Sequence, residues 1–242
     1  MKRKIKLECD RDRSALNNSE NSLVDAIEQK KWKFAEEIIS SKSDIRYNNL
    51  KNIGLLRLVV RYGNEKIFFI LVDKGLDLFE KNGKNITLLH WSVLGGNMKI
   101  ILFLKEQYNE DIIVENGIDF LEWAARGGYF HVFMYFFNLL NTEKHKIKKN
   151  KNFRNMLHHA IIGGNLNIFK FLLEMEVEPF IDKKPEIEIT LILCCWLNEM
   201  NMAKILLEEG ANPLAENSKG ETAFDYTNNT DIEQLLFQYV PE

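Results

Sequence analysis

An all-α solenoid of about six to seven helix-turn-helix units, joined by short hairpin fingers, is the fold class that this sequence predicts. Three observations predict it. Anchor residues, most of them small, recur at Ala26, Val59, Ser92, Ala124, Ala160, Cys194 and Thr227, spaced 33, 33, 32, 36, 34 and 33 residues apart. Four of them are followed, at a fixed distance, by a glycine: Gly63, Gly96, Gly128 and Gly164. Beyond the turn comes a helix-period run of apolar pairs, such as Ile67, Phe68, Leu71 and Val72. A lone hairpin of this kind cannot cover its own apolar face, so neighbouring units stack and each buries the next.

The units follow in order. The first, around Ala26, is atypical: Lys30 and Lys31 stand where later units have glycine and then a polar or aromatic residue. Around Val59 lie Leu56, Gly63 and Asn64, the pairs Ile67, Phe68, Leu71 and Val72, and then Gly75, Leu76 and Asp77. Around Ser92 the order is Thr87, Leu89, His90, Gly96, Asn97, Ile100, Ile101 and Leu104. Ala124 has Leu121, Gly128, Val132, Phe133, Phe136 and Phe137; Ala160 has Leu157, His158, Gly164, Asn165, Ile168, Phe169, Leu172 and Leu173. Cys194 has Leu191, Met202, Ala203, Leu206 and Leu207, and the unit at Thr227 is cut short. Small anchors let first helices approach closely, the glycine reverses the chain in the left-handed region, and atypical terminal units are what a capped stack requires.

The stretch Thr87-Leu88-Leu89-His90, and the turn Glu208-Glu209-Gly210-Ala211-Asn212-Pro213 after a second helix, give the pattern a family likeness. It resembles the ankyrin repeat, a unit of about 33 residues carrying T-P-L-H-x-A, with leucine here in place of proline. The resemblance covers about residues 22 to 240. Residues 1–20 are expected to be a polar N-terminal leader, and residues 21–242 an ankyrin repeat domain.

Composition narrows the function classes. Apolar residues make up 45% of the 242, enough for a substantial core. With 32 basic and 35 acidic residues, the net charge of about −3 gives no global field aimed at nucleic acid or an anionic membrane. Residues 1–20 lack the apolar stretch of a secretory signal, and no window is long and apolar enough to span a membrane. The cysteines Cys9, Cys194 and Cys195 fit neither a disulfide framework nor a zinc spacing. A reducing, cytoplasmic setting and a monomer are therefore expected. The richness in Lys, Asn, Ile and Phe is similar to that of ankyrin proteins of AT-rich genomes, including effectors that intracellular bacteria deliver into a host cytosol.

Candidate chemistry is thin. His90 and His158 occupy equivalent places two units apart, and stacked helices about 8–10 Å apart put such rings too far from each other to share a metal. His90 is expected to bond to Thr87, the helix cap, and to backbone of the adjacent turn. Gly95-Gly96 and Gly127-Gly128 lack the Gly-Lys-Ser/Thr continuation of a phosphate-binding loop. Cys194 is expected to be a buried structural thiol, and the glutamate pairs 36–37 and 208–209 to be solvated. No catalytic residue, metal site or cofactor is expected.

The ankyrin resemblance implies a partner protein bound on the concave groove and fingers. Just before the anchors stand Leu58, Trp91, Trp123, His159, Leu193 and Tyr226; two residues after them stand Arg61, Leu94, Arg126, Ile162, Trp196 and Asn229. Tryptophan and arginine are enriched among binding hot spots. Trp91 and Trp123 fit gap-filling between helices equally well, whereas Arg61 and Arg126 are harder to explain by packing. Residues 143–154 carry six basic residues against one acidic, and residues 174–188 six acidic against two basic. The basic finger is expected to dock an acidic segment, with Lys148, Lys149, Lys151 and Arg154 steering and Trp123 and Arg126 anchoring; a solvated loop is the alternative. The leading expectation is a non-catalytic scaffold or adaptor that binds neither nucleic acid nor membrane. The other is an ankyrin-containing effector with an unrecognised activity, for which residues 1–20 are too few to bury a core of their own.

Overall fold

The computed structural model describes residues 18–41, 49–79, 86–108, 117–139, 153–175 and 184–240. Among the described residues the chain is all helix: thirteen α-helices and one 3-10 turn, without a strand. Its contacts divide into two compact units, Met1–Asn116 and Gly117–Glu242.

In the first unit, α1 (Asn18–Glu28) and α2 (Trp32–Ser41), α3 (Asn49–Tyr62) and α4 (Glu65–Asp73), and α5 (Leu88–Gly95) and α6 (Met98–Gln107) form three hairpins. First helices stack on first helices, α1 on α3 on α5, and second on second, α2 on α4 on α6. The other unit repeats the scheme with α7 (Gly117–Gly127) and α8 (Phe130–Leu139), α9 (Phe153–Gly163) and α10 (Leu166–Met175), and α11 (Lys184–Leu197) and α12 (Met200–Glu208). A shortened fourth hairpin, the 3-10 turn Ala223–Tyr226 and α13 (Thr230–Phe237), completes it. The expected solenoid of helix-turn-helix units is thus what the helices form within each unit, and each of the seven anchors falls in its own hairpin.

Close approach of the first helices explains the small residues. Val59, Ser92, Ala124, Ala160 and Cys194 have no exposed surface. A Cβ on Gly95 would lie 2.0 Å from the Val60 carbonyl oxygen, and one on Gly163 2.2 Å from that of Ala125. Those two glycines are there for contact. Gly96 and Gly164, next to them, are there for the turn, with φ of 76° and 65°. Where the sequence offers no glycine the chain still reverses the same way, through Lys30 at φ 56° and Asn198 at φ 63°.

The asparagine after the turn does two jobs at once. Asn97 Oδ1 accepts from the backbone N–H groups of Lys99 and Ile100 at 3.0 and 3.2 Å, capping α6, while its Nδ2 donates to the Gly63 carbonyl one hairpin back at 3.0 Å. Asn165 repeats this, capping α10 and reaching Gly128.

The core between second helices is aromatic and aliphatic. Phe68 and Phe69 meet Phe103 edge-on at 5.7 and 5.2 Å, joining α4 to α6, and Phe133 and Phe137 meet Phe171 at 5.9 and 5.0 Å, joining α8 to α10. Full burial of one such side chain contributes roughly 1.5–3 kcal/mol. A finger is pinned in the first unit, where Tyr108 donates its hydroxyl to the Leu78 carbonyl at 2.5 Å. On α13, Ile232, Leu235 and Leu236 face inward while Thr230, Asp231, Glu233, Gln234 and Phe237 are exposed.

Candidate functional site

The first motif resolves at the start of α5. Thr87 N–H donates to His90 Nδ1 at 3.1 Å, and the Thr87 hydroxyl lies 2.9 Å from the same nitrogen. Nδ1 is therefore the acceptor, and the ring carries its proton on Nε2. Burial brings the His90 pKa down to about 4, so the imidazole is neutral, as this bonding requires. The expected bond to Thr87 is present, and His90 is a capping residue. His158, its counterpart on α9, instead points Nε2 toward the Thr190 hydroxyl of α11 at 3.5 Å.

Cys194 and Cys195 are buried free thiols, and burial pushes the Cys194 pKa well above its ordinary value. Such a thiol carries no thiolate at neutral pH. Among the described residues no three His, Cys, Asp or Glu side chains converge as a metal site, and no helix is long and apolar enough to cross a membrane.

The side chains expected to meet a partner occupy different depths. In the first unit, Arg61 is half-buried with its guanidinium 5.9 Å from the Tyr62 ring centre, and Trp91 is only 7% exposed. In the second unit, Trp123 and Arg126 on α7 and His159 on α9 are half-buried, whereas Trp196 on α11 is 51% exposed. Lys148, Lys149 and Lys151 lie outside the described residues, as does the side chain of Arg154.

The structure brings Arg126 and His159 together across the α7–α9 contact and adds a residue that the sequence did not single out. Glu122 places Oε2 3.8 Å from His159 Nδ1. Burial, and then the nearby charge of Asp119, raises the Glu122 pKa to about 7. Burial, and then the charges of Arg126 and His158, lowers that of His159 to about 4. Glu122 Oε1, Arg126 Nε and His159 Nδ1 are closed to solvent and find no hydrogen-bond partner among the described residues. One signal could have found this cluster. Glu122 stands two residues before its anchor, where the neighbouring units have His90 and His158, so a carboxylate was bound to be half-buried there. Chemically, the arrangement suits recognition: donors and acceptors held on packed helices beside an aromatic.

Comparison with known proteins accords with this architecture. Residues 121–217 match the family model for ankyrin repeats in three copies. No curated protein sequence matches the chain. Among solved structures the chain is similar to the human ASB11 ankyrin repeat domain, at 17% identity and a TM-score of 0.47, covering 77% of this chain and 98% of that one. It is also similar to a chain of the complex between the predatory endopeptidase Bd0816 of Bdellovibrio bacteriovorus and immunity protein Bd3460, at 20% identity and TM-score 0.46, covering 76% and 96%. The ankyrin repeat domain of Bcl-3, described as a unique member of the IkappaB protein family, matches at 16% identity and TM-score 0.44, covering 89% and 97%. Ankyrin repeats are generally protein–protein interaction modules. Over residues 121–217, then, the chain carries three copies of the ankyrin repeat.

Proposed function

We propose that the chain is a non-catalytic scaffold or adaptor, a cytosolic monomer that binds a partner protein across its first helices. The observation that carries this reading is Trp196. A tryptophan left 51% exposed on a helix whose neighbours Cys194 and Cys195 are buried keeps half of its surface outside the core and offers a large rigid face to a partner. Arg126 occupies the matching position on α7, and Trp123 and His159 stand just before the anchors of the stacked helices α7 and α9, already ordered before a partner arrives, which lowers the entropic cost of binding.

The basic finger around Lys148, Lys149, Lys151 and Arg154 steers an acidic segment of the partner toward Trp123 and Arg126. The acidic stretch 174–188 makes the surface a poor track for phosphates, so nucleic acid is not the ligand. The test compares capture of protein from a lysate by the wild type and by a Trp196→Ala, Arg126→Ala variant, alongside retention on DNA and RNA columns across salt. Saturable binding to one protein, lost in the variant, supports the reading. Retention on nucleic acid without a protein partner overturns it, and neutralising the four basic residues without change in affinity removes the finger from it.

A further inference from the structure

We propose that Glu122, Arg126 and His159 form a receptor for a primary carboxamide, the side chain of an asparagine or glutamine on the bound partner. This rests on the protein-binding reading above and names the chemistry of one place on that surface.

Three observations carry the inference. Glu122 Oε1, Arg126 Nε and His159 Nδ1 are buried without hydrogen-bond partners. They belong to side chains that still reach the surface, Glu122 being 14% and His159 26% exposed. They sit on two packed helices, α7 and α9, beside the half-buried Trp123, so their spacing is fixed by backbone.

The bonding capacity of the three atoms then selects the ligand. Arg126 Nε–H can only donate. The carboxyl of Glu122 accepts in either protonation state, and a neutral His159 with its proton on Nε2 accepts at Nδ1. The complementary group needs one acceptor and two donors on adjacent atoms, and that is a carboxamide: its oxygen takes the Arg126 proton and its NH2 serves Glu122 and His159. A carboxylate offers acceptors alone and has no proton to give to His159 Nδ1. An ammonium or guanidinium offers donors alone and would lie beside the charge of Arg126. A hydroxyl is one donor short.

Water has the right capacity too, and a ligand that displaces ordered water gains only if it reproduces the water's bonds, which a carboxamide does. Burial drives Glu122 and His159 toward their uncharged forms, which suits a neutral ligand.

The experiment uses a random peptide library displayed on phage, selected on the full chain. Enriched peptides are expected to share an asparagine or glutamine at one position. Changing that residue to aspartate, glutamate or leucine should weaken binding to the wild type about tenfold or more, since it strands buried polar groups. Against a His159→Phe or Glu122→Met variant the same peptide changes should cost little, and because the peptide series is also read on unaltered protein, a poorly folded variant does not decide the outcome. Peptides that bind and depend on Trp196 but share no amide, or lose nothing when it is replaced, overturn the carboxamide receptor and leave the protein-binding face standing. So does an amide dependence that persists undiminished in both variants, which puts its contact elsewhere and water alone at the cluster. Failure of any peptide to bind overturns both.

Discussion

Asn165 ties one hairpin to the hairpin before it: its Nδ2 donates to the Gly128 carbonyl at 2.9 Å while its Oδ1 accepts from Ile168 N–H at 3.1 Å and caps α10. The two ends of one amide thus serve two levels of structure, local and repeat-to-repeat. Asn165→Ala should lose both, roughly 0.5–2 kcal/mol for the cap and roughly 0.5–1.5 kcal/mol for the second bond. Asn165→Asp keeps the acceptor and loses the donor, so it should fall between the wild type and alanine in urea unfolding. An Asn165→Asp variant as stable as the wild type would show that the bond to Gly128 contributes nothing.

Backbone conformation separates positions that look alike in the sequence. Lys30 holds φ 56° with a full side chain, so Lys30→Gly should stabilise the chain by about 0.5–1 kcal/mol even after glycine's greater unfolded-state entropy. Asn198→Gly should gain less, since asparagine tolerates φ 63° and its Oδ1 accepts from Asn229 Nδ2 at 2.5 Å. Gly163→Ala should do the reverse. Its Cβ would enter the Ala125 carbonyl, forcing α9 from α7 at a cost of roughly 1–3 kcal/mol or more. Denaturant midpoints for the three variants check the order.

These positions also mark what the sequence could tell. The period, the small anchors and the left-handed glycines were legible because each is a local requirement repeated in phase. Gly95 and Gly163 were not distinguishable from Gly96 and Gly164, because a contact between backbones leaves no trace in spacing. Lys30 broke the glycine pattern yet kept its geometry, since tertiary packing overrides a local preference. For the candidate face, Trp91 and Trp196 looked equivalent in type and differ in depth, which only the packing of neighbouring helices decides. Glu122 was visible only as a departure from the histidine that holds its place in two other units.

The Glu122–His159 pair sets a pH dependence whose two halves oppose each other. Folded Glu122 keeps its proton up to about pH 7, against an ordinary value of 4.5, so its contribution to stability falls as pH rises through that window. Folded His159 sheds its proton by about pH 4, against 6.5, so its contribution is fully present above 6.5 and is lost as pH falls toward 4. Between 4.5 and 6.5 the two slopes cancel. Asp119, Arg126 and His158 are the charged or titratable neighbours that act on the pair. Glu122→Gln should therefore expose a rise in stability from pH 4 to 6.5, at most about 1.4 kcal/mol per pH unit, and exceed the wild type at alkaline pH. His159→Gln should expose the opposite slope. Urea midpoints measured across pH check both, and unchanged slopes in both variants would mean that the pair is solvated in solution.

Tryptophan depth gives the sharpest separation of scaffold from surface. Trp91 is 7% exposed, and removing its ring should cost on the order of 3–5 kcal/mol of stability, because a large core side chain takes both its transfer energy and its contacts with it. Trp196 is 51% exposed, so Trp196→Ala should change stability by no more than about 1 kcal/mol while weakening partner binding by about 2 kcal/mol, the scale of a binding hot spot. Paired measurement of unfolding and binding for the two variants gives a crossed result if the exposed ring is a contact surface. If Trp196→Ala instead unfolds the second unit and leaves binding to the remaining folded fraction intact, the ring is a packing residue and recognition lies elsewhere on the repeats.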